Sequence, residues 1–252
     1  MLFKNRWRKK RASRPFPDQW LTVLERNVPL YARLPESDRQ ELKRHILVFL
    51  AEKRFEGCGG LEMTDEIRLT IAAHACMLLL HRKTDYYPGL KSILVYPSAY
   101  VAPGARHFVG GIILEGQDVR LGESWHRGSV VLSWDDVRRS AGDVQDGQNV
   151  VFHEFAHQLD SSGGRGDSTP VLQDHSSFIA WARTLRRDYE RFRRAVQYRR
   201  PEVLDEYGAT NPAEFFAVAT ECFFERPRDL RQVHPGLYEE LRRFYQQDPA
   251  AL

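Results

Sequence analysis

Cysteine is scarce in this 252-residue chain, and the three present, Cys58, Cys76 and Cys222, form an odd, widely spaced set without a CxxC pair. That excludes a disulfide framework and a paired-thiolate zinc site, and it fits a reducing cytoplasm. Long apolar runs are missing too. The longest, around Ile71 to Leu80, is interrupted by His74 and falls well short of the roughly 18 residues a membrane span needs. The start of the chain is charged and has no apolar signal core, so export is not expected. Internal repeats and low-complexity segments are also absent. With 42% hydrophobic residues the chain is able to bury a core as one large domain or two closely packed lobes.

Charge is unevenly placed. Residues 1–16 hold seven Lys or Arg (Lys4, Arg6, Arg8, Lys9, Lys10, Arg11, Arg14) and no acid. The remainder holds 30 basic and 34 acidic residues, a net of −4, which does not support a nucleic-acid footprint over the whole protein. Residues 1–16 read as a basic, disordered tail with access to an acidic partner or anionic lipid, and residues 17–252 as a single domain.

Within that domain, Trp20, Leu21, Leu24, Val28 and Leu30 suggest a short amphipathic helix. A second starts at Pro35-Glu36-Ser37, with Leu42, Ile46, Leu47 and Leu50 on one face. Thr64 is a good N-cap, followed by Asp65 and Glu66, for a buried helix reaching about His81. Residues 92–96, 111–114 and 129–134 then read as short strands with Gly or Pro between them. Residues 161–170 form a polar, glycine-rich loop. Phe178, Trp181, Leu185, Tyr189, Phe192 and Val196 mark an amphipathic helix whose other faces carry Arg183, Arg186, Arg187, Arg193 and Arg194. Asn211-Pro212 opens a further helix that ends near Glu225.

The chemistry is concentrated in His153-Glu154-Phe155-Ala156-His157. Residues four apart on a helix lie one turn above each other, so the two imidazoles can address one ion, which makes half a zinc site. Glu154, beside the first ligand, can take a proton from the attacking water and pass it to the departing amine. The apolar neighbours Val150, Val151, Phe152, Phe155, Ala156 and Leu159 suit a buried active-site helix. His45, His74, His81, His107, His126, His175 and His234 have no such partner spacing and read as structural.

A catalytic zinc generally has three protein ligands. The continuation HExxHxxGxxH is absent, because Gly163 occupies the sixth position after His157 and the next histidine is His175. A carboxylate is therefore expected as third ligand. Glu214 and Glu221, seven apart on the helix opened by Asn211, share nearly the same face, and spacing alone does not choose between them. Glu214 also stands where a Glu closes a capping box.

His153-Glu-Phe-Ala-His-Gln-Leu-Asp160, Tyr207-Gly-Ala-Thr-Asn-Pro-Ala-Glu214-Phe-Phe-Ala-Val and Phe244-Tyr-Gln-Gln-Asp-Pro249 together resemble the Mlc titration factor A family of metallopeptidases. Gly60-Leu-Glu-Met, Ile93-Leu-Val-Tyr-Pro97, Gly122-Glu-Ser-Trp125 and Val130-Val-Leu-Ser-Trp134 add to the likeness, which starts near residue 17. The resemblance implies a cytoplasmic zinc metallopeptidase with a gluzincin-type site, similar in its core to the catalytic domain of anthrax lethal factor. Carried over, it implies zinc on His153, His157 and Glu214, Glu154 as general base, and Tyr207 as a donor to the oxyanion. Asp160 is a candidate for orienting a ligand from outside the metal's own shell. It also implies a link to the repressor Mlc.

The fold expected is α+β and zincin-like, a small sheet beside the active-site helix with additional N-terminal and C-terminal helices. The edge strand Val130 to Trp134 would pair with an extended peptide. The function expected is zinc-dependent hydrolysis of a peptide or protein substrate, aminopeptidase action included. Its rivals are a regulator-binding protein whose zinc is structural or vestigial, and a nucleic-acid module resting on the tail and the arginine-rich helix. The intact Glu154 favours the enzyme.

Overall fold

Apolar periodicity and chain breakers divide the chain into short helices around a minor sheet, and the structure, a computed structural model, describes residues 2–98, 107–109, 112–114, 128–161 and 175–252. The chain folds as two compact units, one from residues 1–80 and 84–142, the other from residues 81–83 and 143–252.

The first unit contains α1 (Leu2–Ala12), α2 (Asp18–Asn27), α3 (Pro29–Arg33), α4 (Glu36–Glu52), β1 (Arg54–Gly57), α5 (Asp65–Met77), β2 (Ser92–Tyr96), β3 (His107–Val109), β4 (Ile112–Leu114), β5 (Ser129–Ser133) and α6 (Trp134–Gly142). Strands β1, β2 and β5 form a parallel sheet in that order, with Arg54 opposite Ser92 and Ser92 opposite Ser129. Parallel neighbours need a crossover, and α5 lies between β1 and β2 in the chain. β3 and β4 pair antiparallel. The alternation of β2 turns Ile93 and Val95 inward, where both are fully buried. Leu24, Leu42, Ile46, Phe49 and Ile71 complete this core.

The expected N-cap of α5 is present: Thr64 Oγ1 accepts from Ile67 N–H at 3.3 Å. The helix stops at Met77, short of the expected His81, and His81 itself has a positive φ of 63°. Among the described strands, β5 stands at one end of the sheet, and Trp134 starts α6 rather than ending the strand.

The basic N-terminus departs from its reading as a disordered tail. It is helical as α1, and Arg8 is only 8% exposed. Its guanidinium donates to both carboxylate oxygens of Glu52, to Asp85 Oδ1 at 2.6 Å and to the Asp85 carbonyl at 3.0 Å, while lying 4.7 Å from the centre of the Tyr86 ring. A bidentate, buried arginine supplies the anchorage that an apolar face would otherwise give.

The second unit contains α7 (Val150–Ser161), α8 (His175–Gln197), a 3-10 turn (Glu206–Ala209), α9 (Pro212–Glu225), α10 (Pro227–Val233) and α11 (Pro235–Tyr245). Asn211 caps α9 as expected, its Oδ1 accepting from the N–H of Ala213 and Glu214 at 2.9 and 3.0 Å. From Phe215 onward α9 is buried on every side, surrounded by Trp181, Phe192, Tyr238, Phe244 and Tyr245. Arg183, Arg186, Arg187, Arg193 and Arg194 lie exposed on α8. The loop residues 162–170 and the Gly122–Trp125 motif lie outside the described residues.

Candidate metal centre

Helices α7 and α9 pack together and supply the polar side chains of this centre. On α7, His153 and His157 sit one turn apart, with their Nε2 atoms 3.2 Å from each other. On α9, the Glu214 carboxylate lies 2.9 Å from His153 Nε2 and 3.3 Å from His157 Nε2. The sequence position allowed Glu214 a capping role, but its side chain is turned to the two imidazoles. One atom from each of the three residues falls within 4.8 Å of the others, the one such group among the described residues. Two imidazole nitrogens and a carboxylate oxygen, partly accessible, are a donor set that suits a tetrahedral ion with one open position.

Glu221 occupies a different place. Its carboxylate is on the far ring nitrogen, accepting from His153 Nδ1 at 2.7 Å and also from the backbone N–H of Asn149. With Nδ1 engaged by Glu221, the Nε2 side of the ring faces Glu214 and His157. Asn149 and Glu225 complete the arrangement, and neither figured among the candidate residues. Asn149 Oδ1 accepts from Phe152 N–H at 3.1 Å and caps α7, while its amide donates to Glu225 Oε1 at 3.0 Å. A cap residue directly before the apolar helical run was the available signal for Asn149. Glu225 carried none, because its partner is 76 residues away.

Burial shapes the protonation of these groups. It pushes Glu214 upward, but the hydrogen bonds from His153 and His157 and their charges outweigh it and bring Glu214 down to about 2. It pushes His153 downward, yet Glu221, Glu214 and Glu154 raise it well above the usual histidine range. The carboxylates thus favour positive charge at His153, where a bound cation would take the place of the proton. Burial raises Glu225 to about 8, helped by Asp146, Glu221 and Asp143 and opposed by the Asn149 amide.

Glu154 is 5% exposed, and its charge acts on both His153 and Tyr207. Tyr207, in the 3-10 turn, has its ring centre 6.0 Å from that of His153. Burial, with Glu214 and Glu154, raises its phenol to about 12. Asp160 lies in the last turn of α7, and its charge adds to the burial that raises the Tyr245 phenol. His234 is fully buried with Asp188 3.4 Å from one ring nitrogen and Glu202 3.0 Å from the other, so both nitrogens are engaged.

The family described as glucose-regulated metallo-peptidase M90 matches residues 3–246. The match includes nearly all of α1, so the likeness extends further toward the N-terminus than residue 17. An uncharacterized protein of Synechocystis, slr2042, is 41% identical over 96% of this chain and 89% of its own length. Mlc titration factor A of Yersinia pestis is 31% identical over 99% of this chain and 92% of its own length, and that of Yersinia pseudotuberculosis gives the same figures.

Proposed function

Since this chain belongs to the glucose-regulated metallo-peptidase M90 family, we propose that it is a zinc-dependent peptidase whose metal is held by His153, His157 and Glu214. The observation carrying this reading is the convergence of those three side chains within 4.8 Å of one another. When bound, zinc supplies Lewis acidity, polarising the scissile carbonyl and making water acidic enough to attack near neutral pH.

The remaining steps belong to the chain. Glu154 takes the proton of the attacking water and returns it to the leaving amine. Tyr207, protonated across the physiological range, donates its phenolic hydrogen to the developing oxyanion. Glu221 holds Nδ1 of His153 and so keeps Nε2 turned to the metal position. This is a gluzincin-type assignment on a zincin-like α+β fold, acting on a peptide or protein substrate in the cytoplasm, aminopeptidase action included.

A second reading rests on the name of the Yersinia relatives, Mlc titration factor A: the chain binds a Mlc-like transcriptional repressor, with zinc in a supporting role. Glutamate 154 separates the two. Glu154→Gln should keep zinc and the fold while lowering turnover on a pooled peptide library by on the order of 100-fold or more. Equal turnover, with equal metal content, would remove Glu154 from the mechanism and favour the binding protein.

A further inference from the structure

Helix α1 carries a stripe of side chains that the metal centre does not use. Phe3, Trp7 and Lys10 follow one another at one-turn spacing, and Arg14 continues the line past the helix end. Phe3 is 90% exposed and Trp7 37%. Arg6, Lys9, Lys10 and Arg14 are exposed around them. On the opposite side, Arg8 holds the helix to Glu52 and Asp85, and Lys4 adds a 3.1 Å pair with Asp85. The stripe is therefore displayed by an anchored helix.

Charge and shape together identify the partner. Seven basic residues and no acid occupy residues 1–16, while the rest of the chain has a net charge of −4, so positive charge is concentrated on this helix. Bulky aromatic tips flanked by long cationic stems match the boundary of an anionic bilayer, where rings enter the acyl edge and cations reach the lipid phosphates. No helix among the described residues is long and apolar enough to cross a membrane, and contact of this kind needs none.

We propose that the outer face of α1 docks the protein on anionic lipid, with Phe3 and Trp7 inserted at the headgroup boundary and Arg6, Lys10 and Arg14 paired with lipid phosphates. The test is co-sedimentation of the full chain with phosphatidylcholine vesicles containing phosphatidylglycerol, against phosphatidylcholine alone. Binding should favour the anionic vesicles at least ~10-fold and fall steeply with added salt. Phe3→Ser/Trp7→Ser should weaken it by about 10-fold or more, and Phe3→Ser alone should weaken it at an unchanged melting temperature, because Phe3 is 90% exposed whereas Trp7 lines a hollow with Glu52, Lys53 and Leu90. Lys10→Glu/Arg14→Glu, a second folded variant, should abolish it. The proposal is overturned if anionic and neutral vesicles bind alike, or if the aromatic double variant binds as well as wild type. It is equally overturned if polyglutamate or a single-stranded oligonucleotide is bound while anionic vesicles are not.

Discussion

His74 on α5 and His153 on α7 are both enclosed by a helix-rich core, one in each compact unit, and their proton affinities move in opposite directions. Burial lowers His74 to about 4, opposed by a hydrogen bond to the Thr70 carbonyl. Burial also acts to lower His153, yet the carboxylates of Glu221, Glu214 and Glu154 raise it well above the usual range. A buried histidine is thus not by itself a sign of chemistry. Carboxylates at both ring nitrogens do not suffice either, since His234 has them; the candidate centre differs in bringing a second imidazole, His157, and Glu214 to the same ring nitrogen of His153.

The largest effect should come from removing the carboxylate on the Nε2 side. Glu214→Gln takes away an anionic oxygen and should produce the greatest zinc loss on dialysis against a weak chelator. Glu221→Gln, on the Nδ1 side, should weaken metal affinity by roughly 10–100-fold, the range for residues that orient a ligand without touching the ion. If Glu221→Gln loses the metal and Glu214→Gln keeps it, the assignment of the two faces of His153 is reversed.

Two smaller effects concern stability, and they differ in sign. Glu225, raised from 4.5 to about 8, contributes stability that is fully present below pH 4.5 and lost as pH rises through 8. Urea melts of Glu225→Gln, which keeps an acceptor for Asn149, should lack that decline, which is at most ~1.4 kcal/mol per pH unit. His74, lowered from 6.5 to about 4, contributes stability present above pH 6.5 and lost as pH falls toward 4. His74→Leu should flatten the acid limb of the stability curve in that narrower window. An unchanged slope in either variant would show that its proton uptake does not differ between the folded and unfolded chain.

What the sequence made legible was local. Thr64 and Asn211-Pro212 announce helix starts through contacts two or three residues away. The one-turn spacing of His153 and His157 likewise needs only a helix. What stayed hidden depends on distant partners. Composition makes residues 1–16 look like a tail because the groups that hold Arg8, Glu52 and Asp85, lie 44 and 77 residues away. Strand β1 has no alternation of its own and becomes a strand by pairing with β2. Glu214 and Glu221 look equivalent in the chain, since two helical turns return them to one face. Only the packing of α7 on α9 places them at different nitrogens of a single ring.

Asn149 has an evolutionary consequence. Its side chain caps α7 and grips Glu225, and its backbone N–H meets Glu221, so one position serves two carboxylates a single turn apart. Aspartate would still cap the helix, but it would lose the donor and bring a third carboxyl group into the same enclosure. Position 149 is therefore not free to drift alone. A lineage that acquires aspartate there should carry glutamine at 225, with donor and acceptor exchanged across the pair, and the two substitutions should be inherited together.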